Sequence, residues 1–106
     1  MKECCRQYLN GLFGGDEGVI DEIYAEYASS ARAKAEEVAA AFDARQWDVL
    51  DKAAHAVKGM ALSAGDEEMA NLMISLREAV KSHDTDGGLQ DATRLVSEMG
   101  QMAAEL

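Results

Sequence analysis

The chain has 106 residues, 20 of them acidic and 10 basic, with a formal charge of −10 and no proline. A chain of this length makes one domain that buries roughly two thirds of its unfolded surface, enough for a single core without staples. The acidity argues against nucleic acid and anionic membrane surfaces, which need a basic face, and no run approaches the roughly 20 apolar residues of a membrane span.

Alanine, leucine, methionine and glutamate are abundant and β-branched residues are few, a composition that favours helix. Met1-Lys2-Glu3 lacks the long apolar run of a signal peptide. Periodicity predicts a first short helix over about 2–12, with Cys5, Tyr8, Leu9 and Leu12 on one side, stopped by Gly14-Gly15. Cys4 and Cys5 are the only cysteines. With no third cysteine there is no disulfide framework, and a reducing, cytoplasmic compartment is the simplest setting. Asp16 is placed to cap a long second helix over about 17–42, whose stripe is Ile20, Ile23, Tyr24, Tyr27, Ala31, Ala35, Val38 and Phe42.

Asp43 with Gln46 resembles a capping box for a third helix over about 44–63, with Trp47, Leu50, Ala54, Val57 and Ala61 inward. Ala64-Gly65-Asp66 ends it, Gly65 serving as the left-handed residue. Asp66 caps a fourth helix over about 67–82, with Met69, Leu72, Met73, Leu76 and Val80 inward. Asp66-Glu67-Glu68 reads as solvated helix N-terminal charge. Ser82 to Gly88 reads as a loop. A fifth helix over about 88–104 turns Leu89, Ala92, Val96, Met99 and Ala103 inward. Short links make sequential helices antiparallel neighbours, so the expected fold is all-α: an up-down-up-down four-helix bundle over residues 16–106, with residues 1–15 as a cap helix and turn across one end. Four helices bury their apolar faces within one chain, so a monomer is expected.

One stretch of the third helix carries chemistry. At roughly 100° per residue, His55 lies about 130° from the centre of the buried stripe, so it should be exposed. Lys58 and Gly59 are three and four residues on and sit one turn above it, with Asp51 and Lys52 one turn below. Lys58 offers a cation to an anion on the ring. Mid-helix glycine costs about 1 kcal/mol relative to alanine, which suggests that something needs the space at Gly59. The plain alternative is a solvated histidine on an ordinary helix. His83, in Ser-His-Asp-Thr-Asp, reads as a surface turn, and Cys4-Cys5 lacks the spacer of a redox or zinc pair. The methionines at helical spacing read as core.

His55-x-x-Lys58-Gly59, followed by Gly65 and by Met69 and Leu76 in the next helix, resembles the histidine-containing phosphotransfer (HPt) domain of two-component phosphorelays. The resemblance covers about residues 20–80, and on it residues 1–106 form a single HPt-like domain. It implies a phosphorelay intermediate: His55 accepts a phosphoryl group from an aspartate of a response-regulator receiver domain and passes it to another receiver. Lys58 would supply charge to the phosphoryl oxygens and Gly59 steric clearance. Partners would be receiver domains or a hybrid sensor histidine kinase, meeting a surface that includes Asp51, Lys52 and Leu62. It implies no kinase activity and no cofactor or metal on this chain, Mg²⁺ belonging to the receiver. Departures from the family pattern are Met60 where a small residue is frequent, Ala56 for a hydroxyl residue, and Arg77 where an acidic residue is common. Two other readings stand beside it: a helical interaction module without chemistry, and a metal or redox sensor using Cys4, Cys5 and His83.

Overall fold

A computed structural model describes residues 1–105. Five helices follow in order: α1 (Glu3–Phe13), α2 (Glu17–Asp43), α3 (Trp47–Ser63), α4 (Glu67–Lys81) and α5 (Thr85–Glu105). Helices α2 to α5 pack in a ring, each against the next and α5 back against α2, and α1 lies against α2. This is the expected four-helix bundle with a short N-terminal helix. The molecule measures 44 × 21 × 19 Å. The long axis follows from α2, whose 27 residues span about 40 Å at 1.5 Å per residue.

The links between α2, α3, α4 and α5 share one design. In each, a single residue takes the left-handed conformation: Arg45 (φ 60°), Gly65 (φ 74°) and His83 (φ 59°). In each, the next N–H closes back over the helix end: Gln46 to the Ala41 carbonyl at 2.9 Å, Asp66 to Ala61 at 2.8 Å and Asp84 to Ala79 at 2.8 Å. This is a Schellman closure, which satisfies carbonyls that a helix end leaves open. Asp16 and Asp66 cap α2 and α4, accepting from the backbone N–H of Val19 and Met69.

The repeated closure corrects two expected boundaries. Asp43 does not cap α3; it is the last residue of α2, and α3 begins at Trp47 behind a Gln46 whose side chain makes no capping bond. Arg45 reverses the chain first, its guanidinium stacked 5.6 Å from the Phe42 ring centre and 5.8 Å from that of Trp47. Similarly, residues 85–88 are helix rather than loop, because His83 makes the reversal and Asp84 accepts from the Gly87 N–H at 2.9 Å.

The core is built from small side chains on α2 and α3 and larger ones on α4. Ala28, Ala31 and Ala35 of α2 are fully buried, and their small side chains suit close approach of the helices packed against α2. Leu50, Ala53, Ala54, Val57 and Ala61 form the buried stripe of α3. Trp47 is not part of it: it sits half-exposed at the helix start, edge-on to Phe42 at 5.8 Å.

The inward face of α5 also differs from expectation. Leu95 and Met102 are buried, whereas Leu89 and Val96 are more than half exposed and Ala103 is exposed. The deciding residue is Gly88. A Cβ there would come within 3.0 Å of the Phe42 ring, so the smallest residue takes the closest approach. Counting on from Gly88, Ala92, Leu95, Met99 and Met102 fall at alternating spacings of four and three, a buried stripe. Leu89 and Val96 flank it, beside Ala39 and Phe42, in a shallow surface groove.

Candidate functional site

Midway along α3, the buried face of Ala54 and Val57 fixes the rotation of the helix, and this turns His55 outward. The ring is exposed but not without a neighbour. Arg77 reaches it from α4, with Nη1 3.3 Å from His55 Nδ1. The same guanidinium donates from Nε to Asp51 Oδ1 at 2.8 Å. Asp51 lies one turn before His55 on α3, so one arginine spans both side chains. The hydrogen bond from Arg77, helped by its charge, holds the Asp51 carboxyl below its usual range against the opposing effect of burial. A guanidinium is a donor without an acceptor. Asp51 therefore fixes the fork, and the fork meets the ring at Nδ1.

Lys58 is half-buried on the same helix and pairs with no carboxylate among the described residues. At Gly59, an added Cβ would meet nothing within 4 Å. Internal packing thus does not require glycine there, and the space beside His55 is open to an outside group. Lys52 is exposed, and Leu62 is 53% exposed two turns beyond His55. Met60 and Ser63 join Ile23, Glu26, Tyr27 and Ser30 of α2 around a groove of about 350 Å³. Gly65 stands apart from these at the α3–α4 link. Its positive φ and the Tyr8 side chain lying where a Cβ would go both require glycine, so its place is structural.

Asp51, His55, Lys58, Gly59 and Leu62 follow one another along an α-helix that the sequence alone predicts. Arg77 does not. In the sequence it stands only as a departure from a family pattern. Its position was nonetheless available: α3 and α4 run antiparallel about Gly65, so residues in the mid-seventies lie alongside His55.

A second cluster lies where α1 meets the α3–α4 link. Asp66 is wholly buried, contrary to its reading as a solvated helix charge. The Lys2 ammonium contacts its carboxylate at 2.9 and 3.0 Å and Glu98 at 2.8 Å, and the Tyr27 hydroxyl donates to it. Burial would lower the Lys2 pKa, but hydrogen bonds to Glu98 and Asp66 outweigh it and the net shift is upward. Burial first, and then the Asp66 hydrogen bond, push the Tyr27 hydroxyl up. Ligand atoms of Cys4, Cys5 and Asp66 lie within 4.8 Å of one another. However, the carboxylate is already engaged by Lys2, Tyr27 and the Met69 N–H, and burial, followed by the charge of Asp66, pushes the Cys5 thiol up to about 12. A thiol held protonated is a poor nucleophile and a poor metal ligand. His83 sits on the α4–α5 link at the opposite end of the bundle, so it does not join the cysteines.

The family model of the Hpt domain matches residues 22–106. The chain belongs to the Hpt family. No curated protein and no solved structure matches it. The matched span begins inside α2 and covers the whole of the bundle's other three helices, leaving α1 outside. Hpt domains are the phosphocarrier modules of histidine phosphotransfer in phosphorelays, and they are not kinases. No helix among the described residues is long and apolar enough to cross a membrane.

Proposed function

We propose that this Hpt domain is a phosphorelay intermediate that carries the phosphoryl group on His55, taking it from a receiver aspartate and delivering it to another receiver. The observation that carries the reading is the exposed His55 beside a helical glycine whose missing side chain serves no internal packing. A ring nitrogen with a free lone pair attacks the phosphorus of the aspartyl phosphate. The N–P bond forms as the O–P bond breaks, and its electrons return to the aspartate carboxylate. Phosphoryl transfer depends chiefly on positioning and on neutralising charge. Lys58 supplies a cation to the phosphoryl oxygens, and Gly59 lets the receiver's aspartate approach in line. The Mg²⁺ of the reaction belongs to the receiver. Asp51, Lys52 and Leu62 on α3 form the contact surface, extended by the groove between Met60 and Ile23. The protein acts in this reading as a cytoplasmic monomer.

The test is transfer of labelled phosphate from a phosphorylated receiver to wild type and to His55→Gln. Label on wild type alone, stable to alkali and lost in acid, is the expected result. A folded wild type that accepts nothing from a panel of receivers, yet binds one of them equally well with and without His55, would replace the phosphocarrier by an interaction module.

A further inference from the structure

We infer that Arg77 is a positioning residue that holds His55 in the tautomer protonated at Nε2, so that the ring accepts and releases a phosphoryl group slowly and keeps it for long. The first part rests on contact geometry alone; the kinetic part rests on the phosphocarrier reading above. Arg77 Nη1 lies 3.3 Å from His55 Nδ1. Since the guanidinium only donates, Nδ1 must present its lone pair, and the neutral ring then carries its hydrogen on Nε2. Arg77 is itself held: its Nε donates to Asp51 at 2.8 Å and its side chain is only 21% exposed.

The chemistry follows from where the ring proton sits. Nδ1 faces α4, which leaves Nε2 as the nitrogen for an incoming phosphorus. Attack through Nε2 needs its lone pair, so the proton must first move to Nδ1 and Arg77 must let go. The N–P bond then forms, the donor's O–P bond breaks toward its carboxylate, and the ring leaves the step carrying Nδ1–H. Loss of that proton to water restores the Nδ1 lone pair, and Arg77 re-engages it. In the return step the N–P bond breaks with its electrons going to the ring. A ring protonated at Nδ1 leaves readily, and one whose Nδ1 accepts from a guanidinium does not. The same contact therefore resists both directions.

Nitrogen-15 NMR of the imidazole reads the tautomer directly, in wild type, Arg77→Gln and Arg77→Lys. Wild type and Arg77→Lys should show Nε2–H, whereas Arg77→Gln, whose amide oxygen can accept, should shift the ring toward Nδ1–H. Phosphoramidate, which needs no receiver, then phosphorylates each protein, and the label is followed in neutral buffer. Arg77→Gln should accept and lose phosphate about tenfold faster than wild type, the weight of one charge-assisted hydrogen bond, with Arg77→Lys close to wild type. Asp51→Asn, which frees the guanidinium, should fall between them. An unchanged tautomer in Arg77→Gln overturns the inference. So does slower acceptance in that variant, which would make Arg77 a cation for the phosphoryl group instead. A tautomer shift with no acceptance by any variant, from phosphoramidate or receivers, upholds the positioning of the ring and overturns the phosphocarrier reading.

Discussion

A methyl group at position 59 would meet nothing within 4 Å beyond its chain neighbours and its own helix's backbone, and mid-helix glycine costs about 0.5–1 kcal/mol relative to alanine. Gly59→Ala should therefore raise thermal stability by about that amount. Gly59→Leu should fold equally well yet slow phosphoryl transfer from a receiver at least tenfold, because the bulk falls where the partner approaches. Melting curves and transfer rates on the same samples separate the two effects; parallel losses of both would place the glycine in the fold instead of the site. The residues of this site that the sequence revealed share one helix, where spacing converts directly into neighbourhood. Arg77 was hidden because its contact crosses between helices. Asp66 was misread because a capping aspartate looks the same in sequence whether water or a lysine sits beside it.

Arg45 and His83 each occupy a left-handed backbone position that disfavours a side chain by about 1 kcal/mol. Gly65, in the equivalent place, needs no such compromise. Arg45→Gly and His83→Gly should accordingly stabilise the protein, His83→Gly by about 0.5–1 kcal/mol and Arg45→Gly by less, since the latter forfeits stacking on Phe42 and Trp47. Denaturant midpoints measure both. The same positions explain why two helix starts were illegible: a glycine announces a reversal, an arginine or histidine does not. On α5, two apolar stripes were available in the sequence, and contact with Phe42 chose between them through Gly88. Leu95→Ala should cost about 2–5 kcal/mol, and Val96→Ala less than about 1 kcal/mol. Equal losses would return the helix to its other rotation.

Across the whole molecule, the helical count and the antiparallel order followed from periodicity and short links alone. The tie between the bundle and α1 did not, since charge pairing leaves no periodic trace. Lys2, at the start of α1, ties together Asp66 at the start of α4 and Glu98 within α5, with 12% of its side chain exposed. Lys2→Met would leave Asp66 buried without its cation, at a cost of about 3–5 kcal/mol. Its pH dependence has a definite sign. The Lys2 pKa is raised in the folded state, so its contribution is fully present below the unfolded value of about 10.4 and is lost as pH rises through the higher folded one. With the carboxylates ionised, the stability difference between wild type and Lys2→Met should hold constant as pH rises through neutrality and narrow in strong alkali. A difference that vanished near neutrality would contradict the ion pair.

Lys2, Asp66 and Glu98 are far apart along the chain, and a ribosome delivers them in that order. Lys2 emerges long before either carboxylate, and Glu98 only after α2, α3, α4 and most of α5 are outside. Contacts between distant positions are made late because loop closure must precede them. Local helices and the α2–α3 hairpin are free to form during synthesis, but the charge-paired end of the bundle closes only after Glu98 has been made. A nascent chain stalled before Glu98 therefore carries Lys2 without its full set of partners, and it stays open at that end for as long as the stall lasts.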